Sequence, residues 1–387
     1  MDVLITPEKL RGTVNVPGSK SHGHRLLICG ALAGEPDAVH TNNDSRDITV
    51  TRSALEHLMR DQAPSIDCGE SGSTLRFLLP VTMALRDSAE FYGHGKLPQR
   101  PLSPLWEQME EHGCRLRRGE REHICSARGR MHGGNFFLPG DISSQYISGL
   151  LLALPLTEEG GIIHLTSPLE SAGYVEMTLQ TLVDFSIEVE RGCRDYAVAG
   201  GQKFIMPPDA QPEGDWSAAA FWIAANALGA DIKCTGLSEN STQRDKEIVE
   251  LAQAIRRRGT TVTATDIPDL VPILAVLMAA TPGEHRIRGA GRLRLKESDR
   301  LEAMRDGLTA LGAKVSIRGD GLLIEGSEQL HGGEVSGYND HRIVMAMAIA
   351  ATVCSGPVLI HGAEAVTKSY PAFFRDYATL NGKIKEV

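Results

Sequence analysis

The feature that most constrains the fold of this chain is a helix-and-strand pattern that recurs along it. The pattern is an amphipathic helix, a break and a short strand. It is predicted at residues 105–116, 251–262 and 301–317, with a glycine at each break (Gly113, Gly259, Gly312), and in a form without the glycine at residues 177–189. At residues 315–324, Gly-Asp-Gly between alternating strands is typical of a hairpin turn.

A second kind of helix alternates with the first and is apolar on almost every side, which indicates burial in a domain interior. These helices are predicted at residues 145–154, 218–228, 270–280 and 343–351, and they follow Asp141, Asp215, Asp269 and Asp340. Helix capping is the simplest role for Asp141 and Asp215. The charged residues around Asp269 and Asp340 favour a functional role for those two.

Together the two kinds of helix define a unit of roughly 55–75 residues, and a unit of that size predicts repeated βαβ-type subdomains. A chain of 387 residues is also too long for one ordinary core. The sequence therefore predicts an α/β protein of two similar domains.

Short cationic motifs indicate the chemistry. Lysine and arginine supply positive charge, arginine binds phosphate or carboxylate through two parallel hydrogen bonds, and serine and backbone N–H groups complete such a site. The motifs are Pro17-Gly18-Ser19-Lys20-Ser21-His22-Gly23-His24-Arg25, Gly140-Asp141-Ile142-Ser143-Ser144-Gln145, Arg294-Leu295-Lys296-Glu297-Ser298-Asp299-Arg300, Tyr338-Asn339-Asp340-His341-Arg342 and Thr367-Lys368-Ser369-Tyr370-Pro371. The set predicts an enzyme that handles two phosphorylated or carboxylated small molecules.

Composition excludes several other classes. The formal net charge of −9 argues against a nucleic-acid partner. The seven cysteines are scattered without a CxxC pair, which argues against a disulfide framework or a zinc site, and the histidines are not spaced as a metal triad. The N-terminus does not resemble a signal peptide, and no apolar run approaches the ~20 residues of a membrane span. We therefore expect a cytoplasmic protein without a metal, a cofactor or a membrane partner.

The ordered motifs resemble those of the 5-enolpyruvylshikimate-3-phosphate (EPSP) synthase family of enolpyruvyl transferases. The resemblance also rests on Gly72-Ser73-Thr74-Leu75-Arg76, Arg100-Pro101 and Ile267-Pro268-Asp269, and it spans the whole chain. It implies an inside-out α/β fold with two domains, each of three βαβαββ-type units. The expected domains are residues 1–18 with 214–387, and residues 19–213. It also implies a monomeric transferase of aromatic amino acid and chorismate biosynthesis, and a target of glyphosate.

The resemblance further implies the substrates and the roles of individual residues. The enolpyruvyl group of phosphoenolpyruvate would pass to the 5-hydroxyl of shikimate 3-phosphate by addition and elimination through a tetrahedral intermediate, with release of phosphate. Asp269, Glu297 and Lys20 would be catalytic. Shikimate 3-phosphate would bind to Lys20, Ser21, Arg25, Ser143, Ser144, Gln145, Ser171, Asp269 and Lys296. Phosphoenolpyruvate would bind to Lys20, Gly72, Arg100, Gln145, Arg300, Arg342 and Lys368. These residues fall on both sides of the second expected domain boundary, so neither domain would hold a complete site.

The chain departs from the family pattern at Gly23, Glu70 and Arg292, which bears on affinity and inhibitor response more than on the reaction. One alternative is the related enolpyruvyl transferase for UDP-N-acetylglucosamine. That enzyme commonly has an active-site cysteine, and residues 96–101 contain none. Another alternative is a phosphometabolite-binding protein without catalysis, which would not need Asp269 and Glu297.

Overall fold

The structure is a computed structural model that describes residues 1–255 and 259–387. It separates into two compact units. The split unit comprises Met1–Ser19 and Glu213–Val387, and the continuous unit comprises Lys20–Pro212. Ser19 and Glu213 belong to the split unit, although the sequence assigned them to the other domain. A hydrogen bond of 2.8 Å from Ser19 N to Glu213 O holds these two residues together.

The described residues form α-helices and β-strands that alternate along the chain. The helices are α1 (Lys20–Leu32), α2 (Arg46–Arg60), α3 (Gly72–Leu85), α4 (Leu105–Glu111), α5 (Ser144–Ala153), α6 (Ala172–Asp184), α7 (Trp216–Ala227), α8 (Ile248–Ile255), α9 (Val271–Ala279), α10 (Arg300–Ala310), α11 (His341–Ala351) and α12 (Phe373–Thr379). The strands are β1 (Val3–Thr6), β2 (Arg11–Asn15), β3 (Ser65–Asp67), β4 (Ser88–Tyr92), β5 (Arg115–Arg118), β6 (His123–Arg128), β7 (Gly134–Leu138), β8 (Gly161–Leu165), β9 (Val189–Arg191), β10 (Asp195–Val198), β11 (Asp231–Thr235), β12 (Thr261–Thr263), β13 (Gly283–Arg288), β14 (Lys314–Arg318), β15 (Gly321–Gly326), β16 (Gly333–Ser336), β17 (Val358–His361) and β18 (Lys383–Glu386).

One sheet topology occurs four times. The strand orders are β3-β4-β6-β5 and β7-β8-β10-β9 in the continuous unit, and β12-β13-β15-β14 and β16-β17-β1-β18 in the split unit. In each sheet the first two strands are parallel and the other neighbours are antiparallel. A parallel pair needs a crossover helix, so each sheet brings one helix with it. The expected βαβαββ repeat is confirmed for these four sheets.

The remaining repeat differs between the two units. In the split unit β2 and β11 form a parallel two-stranded sheet beside α7 and α8. In the continuous unit α1 and α2 pack together without an assigned strand between them. Both places adjoin the crossings of the chain, where Gly18 and Gly214 form an antiparallel bridge. The repeat therefore has fewer strands at the places where the chain crosses between the units.

The core of each unit is built around apolar helices that pack against one another. In the continuous unit α3 packs against α5, and α5 against α6, while in the split unit α7, α9 and α11 are mutual neighbours. Every residue of α9 and of α11 is buried. Because a helix that is apolar all round must be enclosed, the sheets and amphipathic helices cover these central helices. This confirms the helix pattern expected from the sequence.

Two of the predicted glycine breaks end their helices as expected. Gly113 and Gly312 follow α4 and α10 with φ of 96° and 87°, in the left-handed region that favours glycine. Gly259 has φ of 81°, but the residues that precede it at 256–258 lie outside the described part of the chain. The form without a glycine uses Ser186 after α6, with φ of 64°. A further helix-ending turn of this kind, which the sequence did not indicate, follows α12 and has Asn381 in the left-handed region, with φ of 66°.

The capping prediction for Asp141 is wrong. Ser143 caps α5, because its hydroxyl accepts the Gln145 N–H, while Asp141 accepts a hydrogen bond from Ser167. Asp215 caps α7 as predicted, accepting the N–H groups of Ser217 and Ala218. The hairpin at residues 315–324 is also confirmed by pairing of β14 with β15. Across the described residues, none of the helices has the length and apolarity required to traverse a bilayer.

Candidate active site

The candidate residues of the continuous unit gather at the starts of its central helices. Lys20 and Gly72 are the first residues of α1 and α3, and Ser144 is the first residue of α5. The first N–H groups of a helix have no partner within the helix, and the helix dipole places partial positive charge there. Three such starts in one unit therefore offer donors suited to phosphate or carboxylate oxygens.

Gly72 and Arg100 lie in direct contact. A Cβ atom placed on Gly72 would lie 2.7 Å from Arg100 Nη1 and 3.0 Å from Arg100 Cζ. The absence of a side chain at Gly72 thus makes room for the guanidinium group above the start of α3. Arg100 is 8% exposed. These two predicted phosphoenolpyruvate residues are brought together within one unit.

Gln145 is held by two neighbouring side chains. Its Oε1 accepts a hydrogen bond of 2.8 Å from Arg76 Nη1, and its Nε2 donates one of 2.9 Å to Ser73 Oγ. Arg76 also donates to Pro101 O at 3.1 Å and lies over the ring of Tyr146. Arg76 therefore fixes the amide of Gln145 and the segment that follows Arg100.

Arg25 is buried and bound by groups of α1 and α6. Its Nε donates to Thr178 Oγ1 at 2.7 Å, its Nη2 donates to Tyr174 O at 2.8 Å, and its Nη1 donates to Ser21 O at 2.6 Å. Burial lowers the pKa of Arg25 to about 10, which still leaves it charged at neutral pH. Arg25 thus fixes the backbone at Ser21 and carries positive charge into the start of α1.

The first turn of α1 also contains an ion pair. Lys20 Nζ lies 2.7 Å from Asp47 Oδ2, at the start of α2, and both side chains are 13% exposed. The histidines nearby add no charge at neutral pH. Burial lowers the pKa of His22 to about 4, and burial with the charges of Lys20 and Arg25 lowers the pKa of His24 well below its ordinary value. The positive charge of this turn is therefore carried by Lys20 and Arg25.

Ser171 precedes α6 in an uncommon conformation. Its φ of 55° and ψ of 41° lie in the left-handed region, and the residue is 3% exposed. A non-glycine residue there carries backbone strain, and strain of this kind concentrates at functional sites. Ser186 has the same conformation in the turn after α6, so the backbone of Ser171 fits a turn residue as well as a binding residue.

In the split unit the candidate residues surround Arg300. Its guanidinium donates to Asp340 Oδ2 at 2.8 Å, to Asp269 Oδ1 at 2.8 Å and to Glu297 Oε2 at 3.0 Å. Burial lowers the pKa of Arg300, but the charges of Asp340, Glu297 and Asp269 outweigh that effect and raise it above its usual value. Arg300 therefore remains charged and orders three carboxylates.

Asp269 is bound by two arginines. The oxygen that accepts from Arg300 also lies 3.0 Å from Arg342 Nε. Asp269 belongs to a 3₁₀ helix, Pro268–Leu270, that leads into α9, and no side chain caps either element. The residue is therefore placed by its ion pairs, which supports the functional interpretation over capping. Asp340, in contrast, caps α11 through the Arg342 N–H and also binds Arg300.

Two lysines adjoin this cluster through neighbours of its residues. Lys368 ends the 3₁₀ helix Ala363–Lys368, is 3% exposed and donates to Asn339 O at 2.7 Å, next to Asp340. Lys296 directly follows the 3₁₀ helix Gly291–Leu295. Two residues after Lys296, Ser298 Oγ donates a hydrogen bond of 2.9 Å to Asp340. The split unit thus combines four cationic side chains with Asp269, Glu297 and Asp340.

Several contacts that hold the site were not predicted from the sequence. Each joins a residue of the site to a side chain of another element, and these side chains are Asp47, Arg76, Ser148, Thr178, Ser298 and Asp340. Each partner is distant along the chain or belongs to another helix, so no local spacing signals it. Within the described residues, no three His, Cys, Asp or Glu side chains are grouped to hold a metal ion.

Comparison with known proteins agrees with this geometry. The family model described as EPSP synthase (3-phosphoshikimate 1-carboxyvinyltransferase) matches residues 4–64 and 59–377. A protein of Clostridium acetobutylicum named 3-phosphoshikimate 1-carboxyvinyltransferase is 40% identical, with 99% of this chain and 98% of that protein covered. One of the same name from Clostridium perfringens is 38% identical, with 99% of each covered.

Solved structures share the fold. EPSP synthase from Acinetobacter baumannii superposes with a TM-score of 0.78 at 24% identity, covering 100% of both chains. The enolpyruvyl transferase NikO from Streptomyces tendae gives a TM-score of 0.77 at 16% identity, covering 100% of this chain and 98% of that one. The fold is the inside-out α/β fold with two domains, as expected. With a family model across most of its length and full-length relatives at 38–40% identity, this chain belongs to the EPSP synthase (3-phosphoshikimate 1-carboxyvinyltransferase) family.

Proposed function

We propose that this enzyme transfers the enolpyruvyl group of phosphoenolpyruvate to the 5-hydroxyl of shikimate 3-phosphate and releases phosphate, as a step of chorismate and aromatic amino acid biosynthesis. The observation that carries the proposal is the contact of Asp269 with both Arg300 and Arg342. It sets a carboxylate base beside two cations suited to an anionic substrate. Relatives that carry the name of this activity cover the chain from end to end.

Substrate binding is assigned by the kind of group that each residue offers. Arg100, Arg300, Arg342 and Lys368 bind the phosphate and carboxylate of phosphoenolpyruvate, with Lys20, the Gly72 N–H and Gln145 beside them. Shikimate 3-phosphate binds to Lys20, Ser21, Arg25, Ser143, Ser144, Gln145, Ser171, Asp269 and Lys296. Helix starts and bidentate arginines are well suited to these anions.

The addition step needs two proton transfers, and the elimination step needs the same two in reverse. Asp269 accepts the proton of the 5-hydroxyl while the oxygen of that hydroxyl bonds to C2 of phosphoenolpyruvate. Glu297 gives a proton to the methylene carbon, and Lys20 is a further proton carrier. From the resulting tetrahedral intermediate Glu297 takes back a methyl proton, and the C–H electrons form the new double bond. The C2–O bond to phosphate breaks as Asp269 returns its proton to the departing phosphate. Cations around the phosphate stabilise the charge that develops on it. Arg300 supports both carboxyl groups, since it binds Asp269 and Glu297 directly.

We further propose that the enzyme works as a cytoplasmic monomer without a metal or an organic cofactor. The cysteines support a reducing compartment. Burial raises the pKa of Cys114, Cys125 and Cys354 to about 12, which keeps these thiols protonated and unreactive. Light scattering of the purified protein should give the mass of one chain, 41.8 kDa. A dimer mass at micromolar concentration would contradict the monomer proposal.

A phosphate-release assay tests the reaction. We expect phosphate release only when shikimate 3-phosphate and phosphoenolpyruvate are both present. A metal chelator should not prevent that release. UDP-N-acetylglucosamine in place of shikimate 3-phosphate is the matched control. Phosphate release with that control, or a strict requirement for a divalent metal, would overturn the proposed function.

A further inference from the structure

Asp245 is a buried carboxyl that the proposed mechanism does not use. It lies in the 3₁₀ helix Arg244–Glu247, which packs against α7, and it is 4% exposed. The Ser217 hydroxyl, in the first turn of α7, donates a short hydrogen bond to Asp245 Oδ2. A buried carboxyl is costly unless it is protonated or bound by compensating groups, so its neighbours decide its state.

The neighbours of Asp245 include two groups of the candidate site. α7 packs against the 3₁₀ helix that carries Asp269 and against α11, which carries Arg342. The negative charge of Asp269 and the positive charge of Arg342 both act on Asp245. Because Asp269 and Arg342 are themselves bound at 3.0 Å, the three groups form one electrostatic cluster within the split unit.

The other charged groups around Asp245 are weaker neighbours or lie at the surface. Asp215, which caps α7, adds a smaller negative contribution. On its own turn Arg244 is exposed, while Lys246 and Glu247 are half-buried, and on α8 Glu250 is exposed. Helix α9 carries no charged side chain. Asp269 and Arg342 are therefore the site groups to which Asp245 is coupled.

The state of this carboxyl changes near neutral pH. Burial, followed by the charge of Asp269, raises the pKa of Asp245 to about 7, against the opposing effects of Arg342 and the Ser217 hydrogen bond. When Asp245 is protonated, Asp269 is the carboxylate of this cluster that offsets Arg342. When Asp245 is ionised, a second negative charge attracts Arg342, so Arg342 attracts an anionic ligand less strongly.

We propose that Asp245 is a positioning residue whose protonation regulates the capture of the anionic substrate by Arg342. The nature of that anion, phosphoenolpyruvate, rests on the proposed function. Rising pH thus weakens the capture of the substrate by Arg342, and Asp245 is the group that titrates.

The first arm of the test needs no substrate. The urea unfolding constants of wild type and Asp245→Asn are compared from pH 5 to 8.5. The folded-state pKa lies above the ordinary value of 3.8, so the folded protein holds the proton more tightly. Between pH 3.8 and the folded-state pKa of about 7, the wild type should lose stability relative to the variant as pH rises. Its unfolding constant should increase relative to that of the variant by up to about tenfold per pH unit, and this increase should level off above the folded-state pKa.

Two further variants test the coupling in the same measurement. Asp269→Asn removes a neighbouring negative charge, so the pH at which the loss levels off should fall. Ser217→Ala removes a hydrogen bond to the ionised form, so that pH should rise. These variants retain Asp245 and keep the test decisive even where Asp245→Asn folds poorly. A ratio of unfolding constants that does not vary with pH, or a break that Asp269→Asn leaves in place, would overturn the proposal.

The second arm measures the KM for phosphoenolpyruvate at pH 6 and pH 8.5. We expect the rise in KM between these values to be at least about fivefold larger in wild type than in Asp245→Asn, the lower end of ordinary coupling between sites. Glu250→Gln, at an exposed carboxyl on the neighbouring helix α8, is the matched control and should retain the wild-type pH dependence. Equal pH dependence in wild type and Asp245→Asn would leave Asp245 a merely structural carboxyl and refute the proposal.

Failure of the proposed function gives a different result. In that case no variant turns over the two substrates at any pH, while the stability arm still shows whether Asp245 titrates with Asp269. The affinity for inorganic phosphate, measured by calorimetry at the same two pH values, then replaces KM. A phosphate affinity with the same pH dependence in wild type and Asp245→Asn would overturn the role assigned to Asp245.

Discussion

Arg300 and Asp340 form an ion pair in which both side chains are buried. Arg300 Nε lies 2.8 Å from Asp340 Oδ2, and the exposed fractions of the two side chains are 2% and 0%. Asp340 also caps α11 and accepts a hydrogen bond from Ser298. One carboxylate thus sets both the direction of a helix start and the position of the guanidinium that binds Asp269.

Replacing Asp340 tests this arrangement. Asp340→Asn leaves the Arg300 charge buried with less compensation, and we expect the free energy of unfolding to fall by about 3 kcal/mol. The measurement is urea unfolding. Glu325→Gln, in the exposed pair of Lys314 with Glu325, is the control and should leave the free energy of unfolding nearly unchanged. A loss no greater than that of the control would show that Asp269 and Glu297 hold Arg300 without Asp340.

Gly72→Ala should weaken the binding of phosphoenolpyruvate without weakening the fold. The new Cβ would meet the Arg100 guanidinium at 2.7 Å, so that group must move. We expect the KM for phosphoenolpyruvate to rise about tenfold, a loss of about 1.4 kcal/mol. Gly356→Ala serves as the control, because its Cβ would make an ordinary contact of 3.7 Å. An unchanged KM in Gly72→Ala would remove Arg100 from the proposed site.

Asp269→Asn should lower turnover strongly. If Asp269 accepts the proton of the 5-hydroxyl, we expect a loss of about 10²–10⁴-fold in kcat, the usual contribution of a positioned base. The affinity for shikimate 3-phosphate, measured by calorimetry, should change much less. Asp215→Asn is a control at another helix start in the same unit. Near-normal turnover in Asp269→Asn would leave Asp269 only the task of holding Arg300 and Arg342.

The ion pair of Lys20 with Asp47 predicts a smaller catalytic effect. Asp47→Asn removes the counter-charge that orients the Lys20 ammonium at 2.7 Å. We expect kcat/KM to fall about tenfold, or about 1.4 kcal/mol in the barrier, through misplacement of Lys20. Glu176→Gln, which breaks the exposed pair with Arg191 in the same unit, should have no such effect. Equal activity in the two variants would mean that Lys20 is positioned by its backbone alone.

The sequence predicted the parts of the fold that depend on local chemistry. Apolar helices and glycine breaks follow from side chains close together in the chain, which is why α9, Gly113 and Gly312 agree with expectation. Ser186 and Asn381 take the same left-handed conformation, but serine and asparagine adopt it less readily than glycine and therefore signal it less clearly in a sequence. Asp141, Ser143 and Ser144 are all of residue types that cap helices. Only the position at which α5 starts selects Ser143.

The candidate site divides in a similar way. Motif residues such as Lys20 and Arg300 were identified from the resemblance, because their charges stand together in short segments. Their ion pairs were not predicted, since Asp47 is 27 residues from Lys20 and Asp340 is 40 residues from Arg300. Pairing over such separations depends on how the helices pack, which no local pattern records.

The first strand of the chain has a consequence for synthesis on the ribosome. β1 lies between β17 and β18, and the Met1 backbone carbonyl accepts the Ala363 N–H. Residues 3–6 are synthesised before the whole of the continuous unit, whereas their partners β17 and β18 follow only at residues 358–361 and 383–386. β1 therefore stays unpaired while residues 20–212 are made. The sheet of β16, β17, β1 and β18 is complete only once residues 383–386 have joined it.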